Sequence, residues 1–281
     1  MTIAVTAATG HLGAEIVRKL IAMPEAGPVI GLARTPKKAE GLGIEIRPGD
    51  YTRPDDLKAS LAGVYTVLLV SGMDAPENRI GQHRNVIEAA RAAGVKKIVY
   101  TSIQGPEAGT RFSPVVQSNR QTEADIRASG LDWSIGRNGI YIEPDIEYIE
   151  SYRAAGEIAN CAGAGKCGYT TRSELAHAYA RLLTRADHDG RTVDLNGRPI
   201  TQAELAVHMN DTFGTALRYR ELTAEEFAED RARELGLFLG GVIAGIYEGI
   251  QRGDYDRPGD YEAVAGRPHL SWEDYFAILK G

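Results

Sequence analysis

Ala7-Ala8-Thr9-Gly10-His11-Leu12-Gly13 separates the apolar run Thr2–Thr6 from a helical pattern over Ala14–Ala22. A strand, a tight turn and a helix in that order aim backbone N–H groups and the positive end of a helix at one spot. That arrangement suits a pyrophosphate, and so a dinucleotide. Gly10 lets the chain approach phosphate, and Gly13 lets the helix sit close on the strand. Ala7 replaces the first glycine of the usual fingerprint, and alanine tolerates fewer backbone conformations. Thr6, Ala8, Thr9, His11 and Leu12 complete the candidate cradle, with His11 placed to touch phosphate.

Further candidates follow the next apolar runs. Val29–Ala33 ends at Arg34, with Lys37 and Lys38 behind it and no carboxylate before Glu40. An acid about 20 positions past the glycine turn favours NAD, whereas an arginine accommodates the NADP 2′-phosphate. The expected cofactor is therefore NADP(H), with NAD(H) accepted more weakly. Asp50, past Ile44–Arg47, is placed to face an adenine or to cap the next helix. Ser71-Gly72, after Thr66–Val70, would border the ribose or nicotinamide. Thr101 closes the run Lys97–Thr101.

The elements that must position these residues alternate regularly. Helical patterns at Pro36–Gly41, Pro54–Leu61 and Arg79–Ala93 lie between the apolar runs, and a helix Val115–Ser129 leads to a sixth strand, Asp132–Arg137. Short continuous β runs between amphipathic helices predict α/β architecture, a Rossmann-type doubly wound parallel sheet. Ligands of such sheets sit beyond the carboxyl ends of the strands. After Arg137 the rhythm loosens into a smaller, mostly helical region. It holds helices at Thr171–Thr184 and Thr201–Phe213, strands at Thr192–Leu195 and Ala216–Leu222, and a helical Thr223–Gly253 broken at Gly236 and Gly240-Gly241. The expected division is a cofactor domain over residues 1–137 and a substrate region over 138–281, with some elements returning to the main sheet.

Composition narrows the class. The 281 residues are 43% hydrophobic and 25% charged, with net charge −6. That balance fits a globular protein and argues against a nucleic-acid surface. No apolar stretch reaches the ~20 residues that span a bilayer. With a strand expected from Thr2, no signal peptide is expected ahead of the fold. Two cysteines, Cys161 and Cys167, fit a reduced, cytoplasmic protein as small apolar side chains. Without clustered histidines they do not read as a metal site. A monomer or weak homodimer is expected.

Ala7–Gly13, Arg34, Gly49-Asp50-Tyr51, Tyr100-Thr101-Ser102, Arg137-Asn138-Gly139-Ile140-Tyr141 and Gly165-Lys166 followed by Thr171-Arg172-Ser173-Glu174-Leu175-Ala176 recur in a known order. Together they resemble the NmrA-like branch of the atypical short-chain dehydrogenase/reductases. The branch includes type 2 NADPH quinone oxidoreductases, triphenylmethane-dye reductases and flavin-free azo-dye reductases. The resemblance covers nearly the whole chain, and its character is nearest to an azo-dye reductase. It implies that Asn138 and Tyr141 line the substrate pocket. Asn138 can hold a carboxamide, and Tyr141 can stack on a ring and donate its O–H, making it the candidate catalytic donor. A core role for Tyr141 is the alternative. Tyr148, Tyr152 and Tyr169 are further candidate walls. Gln104 opens the Gln104–Phe112 loop, which reads as a lid over the substrate or as an ordinary surface loop.

The departures from ordinary short-chain dehydrogenases steer the chemistry. Their Tyr-x-x-x-Lys pair is absent from Ser113–Glu123, and Asn119 stands where many relatives carry lysine. A simple ketone becomes an alkoxide on reduction and needs a positioned acid. A quinone becomes a phenolate-like anion whose conjugate acid has a pKa of about 10, so it needs less help. A triarylmethane cation needs hydride alone, and an azo bond needs hydride and a proton. The implied activity is flavin-free hydride transfer from NADPH to a small conjugated aromatic acceptor, an azo dye or a quinone. The alternative is an NmrA-type regulator that senses NADP without catalysis. A reductase of another metabolite, such as a benzylic ether, is a third reading.

Overall fold

The computed structural model describes residues 1–280, less the side chain of Glu40. The apolar runs form β1 (Ile3–Val5), β2 (Val29–Ala33), β3 (Glu45–Pro48), β4 (Thr66–Val70), β5 (Lys97–Ile103) and β6 (Asp132–Asn138). Between them lie α1 (His11–Ile21), a 3-10 helix (Pro36–Leu42), α2 (Pro54–Ser60), α3 (Pro76–Ala92) and α4 (Ser113–Arg127). The chain continues through β7 (Ile140–Tyr141), α5 (Glu143–Glu147), α6 (Ile149–Ala155), β8 (Glu157–Asn160), β9 (Lys166–Cys167), β10 (Tyr169–Thr170), α7 (Arg172–Thr184) and β11 (Arg191–Leu195). It ends with β12 (Ile200–Thr201), α8 (Gln202–Phe213), β13 (Arg218–Glu221), α9 (Ala224–Leu235), α10 (Leu237–Gln251), α11 (Tyr261–Ala265) and α12 (Trp272–Lys280).

Seven strands make one parallel sheet in the order β11-β6-β5-β4-β1-β2-β3. Its strands read as continuous apolar runs because helices cover both faces. Ile3 and Val5 point to the face packed by Leu12, Ile16, Val17 and Leu20 of α1 and Leu175, Tyr179 and Leu182 of α7. Ala4, Val67, Leu69 and Ile98 point to the other face, against Leu57, Val86, Ile87, Ala90 and Ile126. Successive strands leave β1 in opposite directions, which opens a crevice between the carboxyl ends of β1 and β4. Residues 138–281 add β11 to the sheet edge and lay α7 on α1, so they are tied into the first half of the chain. They also have a core of their own, built around Ile142, Tyr169, Leu205, Ile250 and Trp272.

Caps fall where the sequence places them. Thr171 accepts from Glu174 N at 3.0 Å, and Thr201 forms a capping box with Glu204. The expected break at Gly240-Gly241 is corrected: α10 runs through both residues. A Cβ on Gly240 would come within 2.5 Å of the Ala232 nitrogen, so this glycine lets α10 pack closely on α9. The chain reverses at Gly236 alone, with φ +83°. Cys161 and Cys167 are buried and unpaired. No helix among the described residues is long and apolar enough to cross a membrane.

Candidate active site

The turn after β1 keeps its geometry without its first glycine. Ala7 takes φ +48° in the left-handed region, and its carbonyl accepts from Gly10 N at 2.8 Å. That carbonyl lies so close to α1 that a Cβ on Gly13 would stand 2.4 Å away. No side chain caps the first turn of α1. Its N–H groups are thus left for a ligand. A hollow of about 440 Å³ opens there, lined by Thr9, Gly10 and His11 and, from across the site, Arg172 and Ser173 of α7. The uncapped helix end, the close approach at Gly13 and the Arg172 cation fit a pyrophosphate. Leu12 and Ala8 face the core and hold the turn from beneath. Arg34 and Lys38 are exposed at the end of β2. Thr52 donates from its N–H and its hydroxyl to Asp50, and with the nearby Arg34 charge this holds the Asp50 carboxyl below its ordinary value. Asp50 therefore braces its own turn beside Arg34.

The next strand ends form one hydrogen-bonded frame. Thr6 Oγ1 accepts from Val70 N at 2.9 Å and meets the Tyr51 hydroxyl at 2.5 Å. Thr101 Oγ1 accepts from Ser71 N at 2.8 Å. Gly72 N donates to His83 Nε2 at 2.9 Å, so the His83 proton sits on Nδ1, 2.9 Å from Thr122 Oγ1. Burial, with help from the Arg79 charge, depresses His83 to about 3 and keeps it neutral. Asn119 is fully engaged. Its Oδ1 accepts from Tyr100 at 2.6 Å and Ser71 at 3.1 Å, and its Nδ2 donates to Val115 O at 2.8 Å. The residue in the lysine position is thus a strut. Sequence reasoning assigned no role to His83 or to Tyr100, whose partners lie on other elements.

Beyond β6 a cleft of about 780 Å³ opens. Tyr141 and Tyr148 both line it. Burial pushes the Tyr141 hydroxyl up to about 12, and the Arg172 guanidinium lies 5.7 Å from its ring centre. Asn138, expected on the pocket wall, is instead buried behind Tyr141: it accepts from Tyr179 at 2.6 Å and its amide donates to the Tyr141 hydroxyl at 3.4 Å, orienting that tyrosine. Tyr148 donates to Glu234 at 2.8 Å near the mouth. Asp145, Tyr152 and Tyr247 form a further wall, of which only Tyr152 was foreseen. Asp145 reads as an ordinary first-turn acid of α5, and Tyr247 is 102 positions away.

Three further expectations change. Gln104 is fully buried and donates to Asn196 at 2.7 Å, away from the cleft wall. Tyr169 is also fully buried and accepts from Gln202 at 2.9 Å behind that wall. The loop after Gln104 is fastened: Arg111 N donates to Glu248 at 2.9 Å, and Arg252 donates to Gly109 O at 2.8 Å. It is a clamped surface loop rather than a lid. Among the described residues no group of three or more acidic, histidine or cysteine side chains is gathered for a metal.

Known proteins share this architecture. Residues 7–186 match the NAD(P)H-binding family model. Quinone oxidoreductase 2 of Escherichia coli is 36% identical over 233 residues, covering 80% of this chain and 79% of the relative. The NAD(P)H azoreductase of Xenophilus azovorans is 28% identical over 80% of this chain and 78% of its own. The structure of an NADPH-dependent quinone oxidoreductase of E. coli complexed with NADPH matches with TM-score 0.91 and 30% identity, over 99% of this chain and 100% of that one. Triphenylmethane reductase of Citrobacter sp., complexed with NADP(H), matches at 0.88 and 32%, over 96% and 98%. With the match over residues 7–186 and these relatives, the chain belongs to the NAD(P)H-binding family.

Proposed function

We propose that this protein is a flavin-free NADPH-dependent reductase of conjugated aromatic acceptors, quinones and azo dyes foremost. The observation that carries this is the pairing of an open dinucleotide cradle with a large aromatic-walled cleft that lacks the Tyr–Lys acid. When bound, the nicotinamide supplies hydride. The protein's own groups bind and orient. The first turn of α1 and Arg172 hold pyrophosphate, while Arg34 and Lys38 take the 2′-phosphate. Tyr141 stacks beside the acceptor and donates a hydrogen bond to the atom that gains charge, a contact worth most in a dry site. Held near 12, it is a weaker acid than a hydroquinone at about 10 and keeps its proton there. The oxidoreductase names of the relatives and the size of the cleft favour catalysis over an NADP-sensing role. A single chain carries the whole site, so a monomer suffices, and two unpaired cysteines suit the cytoplasm. NADPH absorbance followed with menadione and an azo dye tests the reading. Steady oxidation supports it, and tight NADP binding without turnover across acceptors contradicts it.

A further inference from the structure

The cleft contains an acid that hydride transfer alone does not use. Asp145 on α5 is 5% exposed, yet no cation pairs with it. Its Oδ1 accepts from the Tyr152 hydroxyl of α6 at 2.9 Å and the Tyr247 hydroxyl of α10 at 3.3 Å. The Cys167 thiol of β9 lies within range of the Asp145 charge. Arg231 of α9 acts on Tyr152, and the same cleft is lined by Glu226, Asp230 and Glu234 of α9 and by Glu157 and Arg220 of the β8–β13 pair. Both bonded tyrosines and Asp145 itself line the cleft that Tyr141 enters. Burial raises the carboxyl above its ordinary range, and the tyrosine hydrogen bonds offset this only in part. A purely structural carboxylate in such a place is normally matched by a cation, as Glu123 is by Arg120, Arg127 and Arg137.

The geometry points to Asp145 as the proton reserve of the reductase reaction, delivering through the Tyr152 or Tyr247 hydroxyl to the acceptor in the cleft. This rests on the reductase reading above. Hydride brings two electrons and forms the first new bond, C–H, O–H or N–H, on the acceptor, leaving an anion. A protonated carboxyl runs the observed contact in reverse, its O–H donating to the tyrosine oxygen while the phenolic O–H points at the acceptor. The tyrosine O–H then breaks as the acceptor O–H or N–H forms, and the Asp145 O–H breaks as the tyrosine O–H re-forms. The carboxylate left behind takes a proton from water in the cleft. The sum is acceptor, NADPH and one proton giving reduced acceptor and NADP⁺. The tyrosine is a conduit that regains a proton as it gives one, so the weak acidity that burial imposes on Tyr152 and Tyr247 does not block the relay.

Acceptors of different proton demand give the test. A triarylmethane cation needs hydride only, whereas a quinone needs hydride and a proton. In Asp145→Asn the ratio of quinone turnover to triarylmethane turnover should fall about ten- to a hundred-fold. The fall should lie in kcat rather than KM, and the alkaline decline of kcat for quinone should vanish. Asp145→Glu should restore part of the ratio. Tyr152→Phe combined with Tyr247→Phe should reproduce the loss, which covers the case of a variant that does not fold. Independently of turnover, infrared spectra at neutral pH should show a protonated carboxyl band that Asp145→Asn removes. An unchanged ratio, an equal loss for both acceptors, or no such band overturns the proposal. A wild-type protein that binds NADPH but reduces no acceptor overturns the reductase reading first, and this proposal with it.

Discussion

Ala7 is the one non-glycine residue with a left-handed backbone among the described residues. The left-handed helical region costs an L-residue about 1–2 kcal/mol, and glycine recovers part of that after its own entropy is counted. Ala7→Gly should therefore raise the unfolding free energy in urea by about 0.5–1 kcal/mol while NADPH still binds. The sequence showed that a glycine was missing, but whether the turn would shift or strain depended on the carbonyl's contacts with Gly10 and α1. Arg34 is proposed from its place after β2 alone. Arg34→Ala should raise the NADPH KM about ten- to a hundred-fold, as expected for losing a charge-assisted contact, and leave NADH almost unaffected. Equal losses for both cofactors would remove its 2′-phosphate role. Tyr141→Phe should slow azo-dye turnover about ten-fold, and unchanged rates would dismiss it as a donor. Gln104 shows where reading by position fails. Its place after β5 suggested the site, but only the fold reveals Asn196, 92 residues away, as its partner.

Elements defined by short-range pattern were the easiest to read. Continuous apolar runs had to be strands buried on both faces, and Thr171 and Thr201 announced their helices. Paired glycines in α10 misled because the same residue type serves a turn at Gly236 and close packing on α9 at Gly240. The two-residue strands β7, β9, β10 and β12 have no periodicity to detect. Neither does the joint that fixes β4 to α3 and α4, where His83 holds Gly72 and Thr122. Burial on folding carries the His83 imidazole down from the ordinary 6.5 to about 3. The unfolded chain therefore binds the extra proton between those values, and stability falls as pH drops through that window. Replacing the ring by an uncharged acceptor, His83→Gln, should make the urea-stability profile shallower between pH 6.5 and 4.5, above the range where Glu123 and Glu174 protonate in the unfolded chain. A profile as steep as the wild type's would rule out this origin.

At the scale of the molecule, each half is braced by a buried carboxylate: Glu123 ties α4 to β5 and β6, and Glu174 ties α7 to Arg267 and Leu270. Burial would raise Glu123, but Arg137, Ser102 and Arg120 hold it at about 2, and Glu174 is kept there chiefly by Arg267. Both carboxyls are depressed from 4.5, so their contribution is full above that pH and is lost as pH falls toward 2. Glu123→Gln should weaken the protein at neutral pH and shrink its acid-induced loss below pH 4.5, as read by thermal unfolding across pH. Global topology was readable because the alternating first half allows little but a parallel sheet. The cleft was not, because its walls come from α5, α6, α9 and α10, far apart in the chain. The central claim is that hydride passes directly from NADPH in the cradle to an acceptor in that cleft. NADPH carrying deuterium at the transferred C4 position, turned over with a triarylmethane cation, should yield a leuco product bearing the label on its central carbon. An unlabelled product would contradict direct transfer.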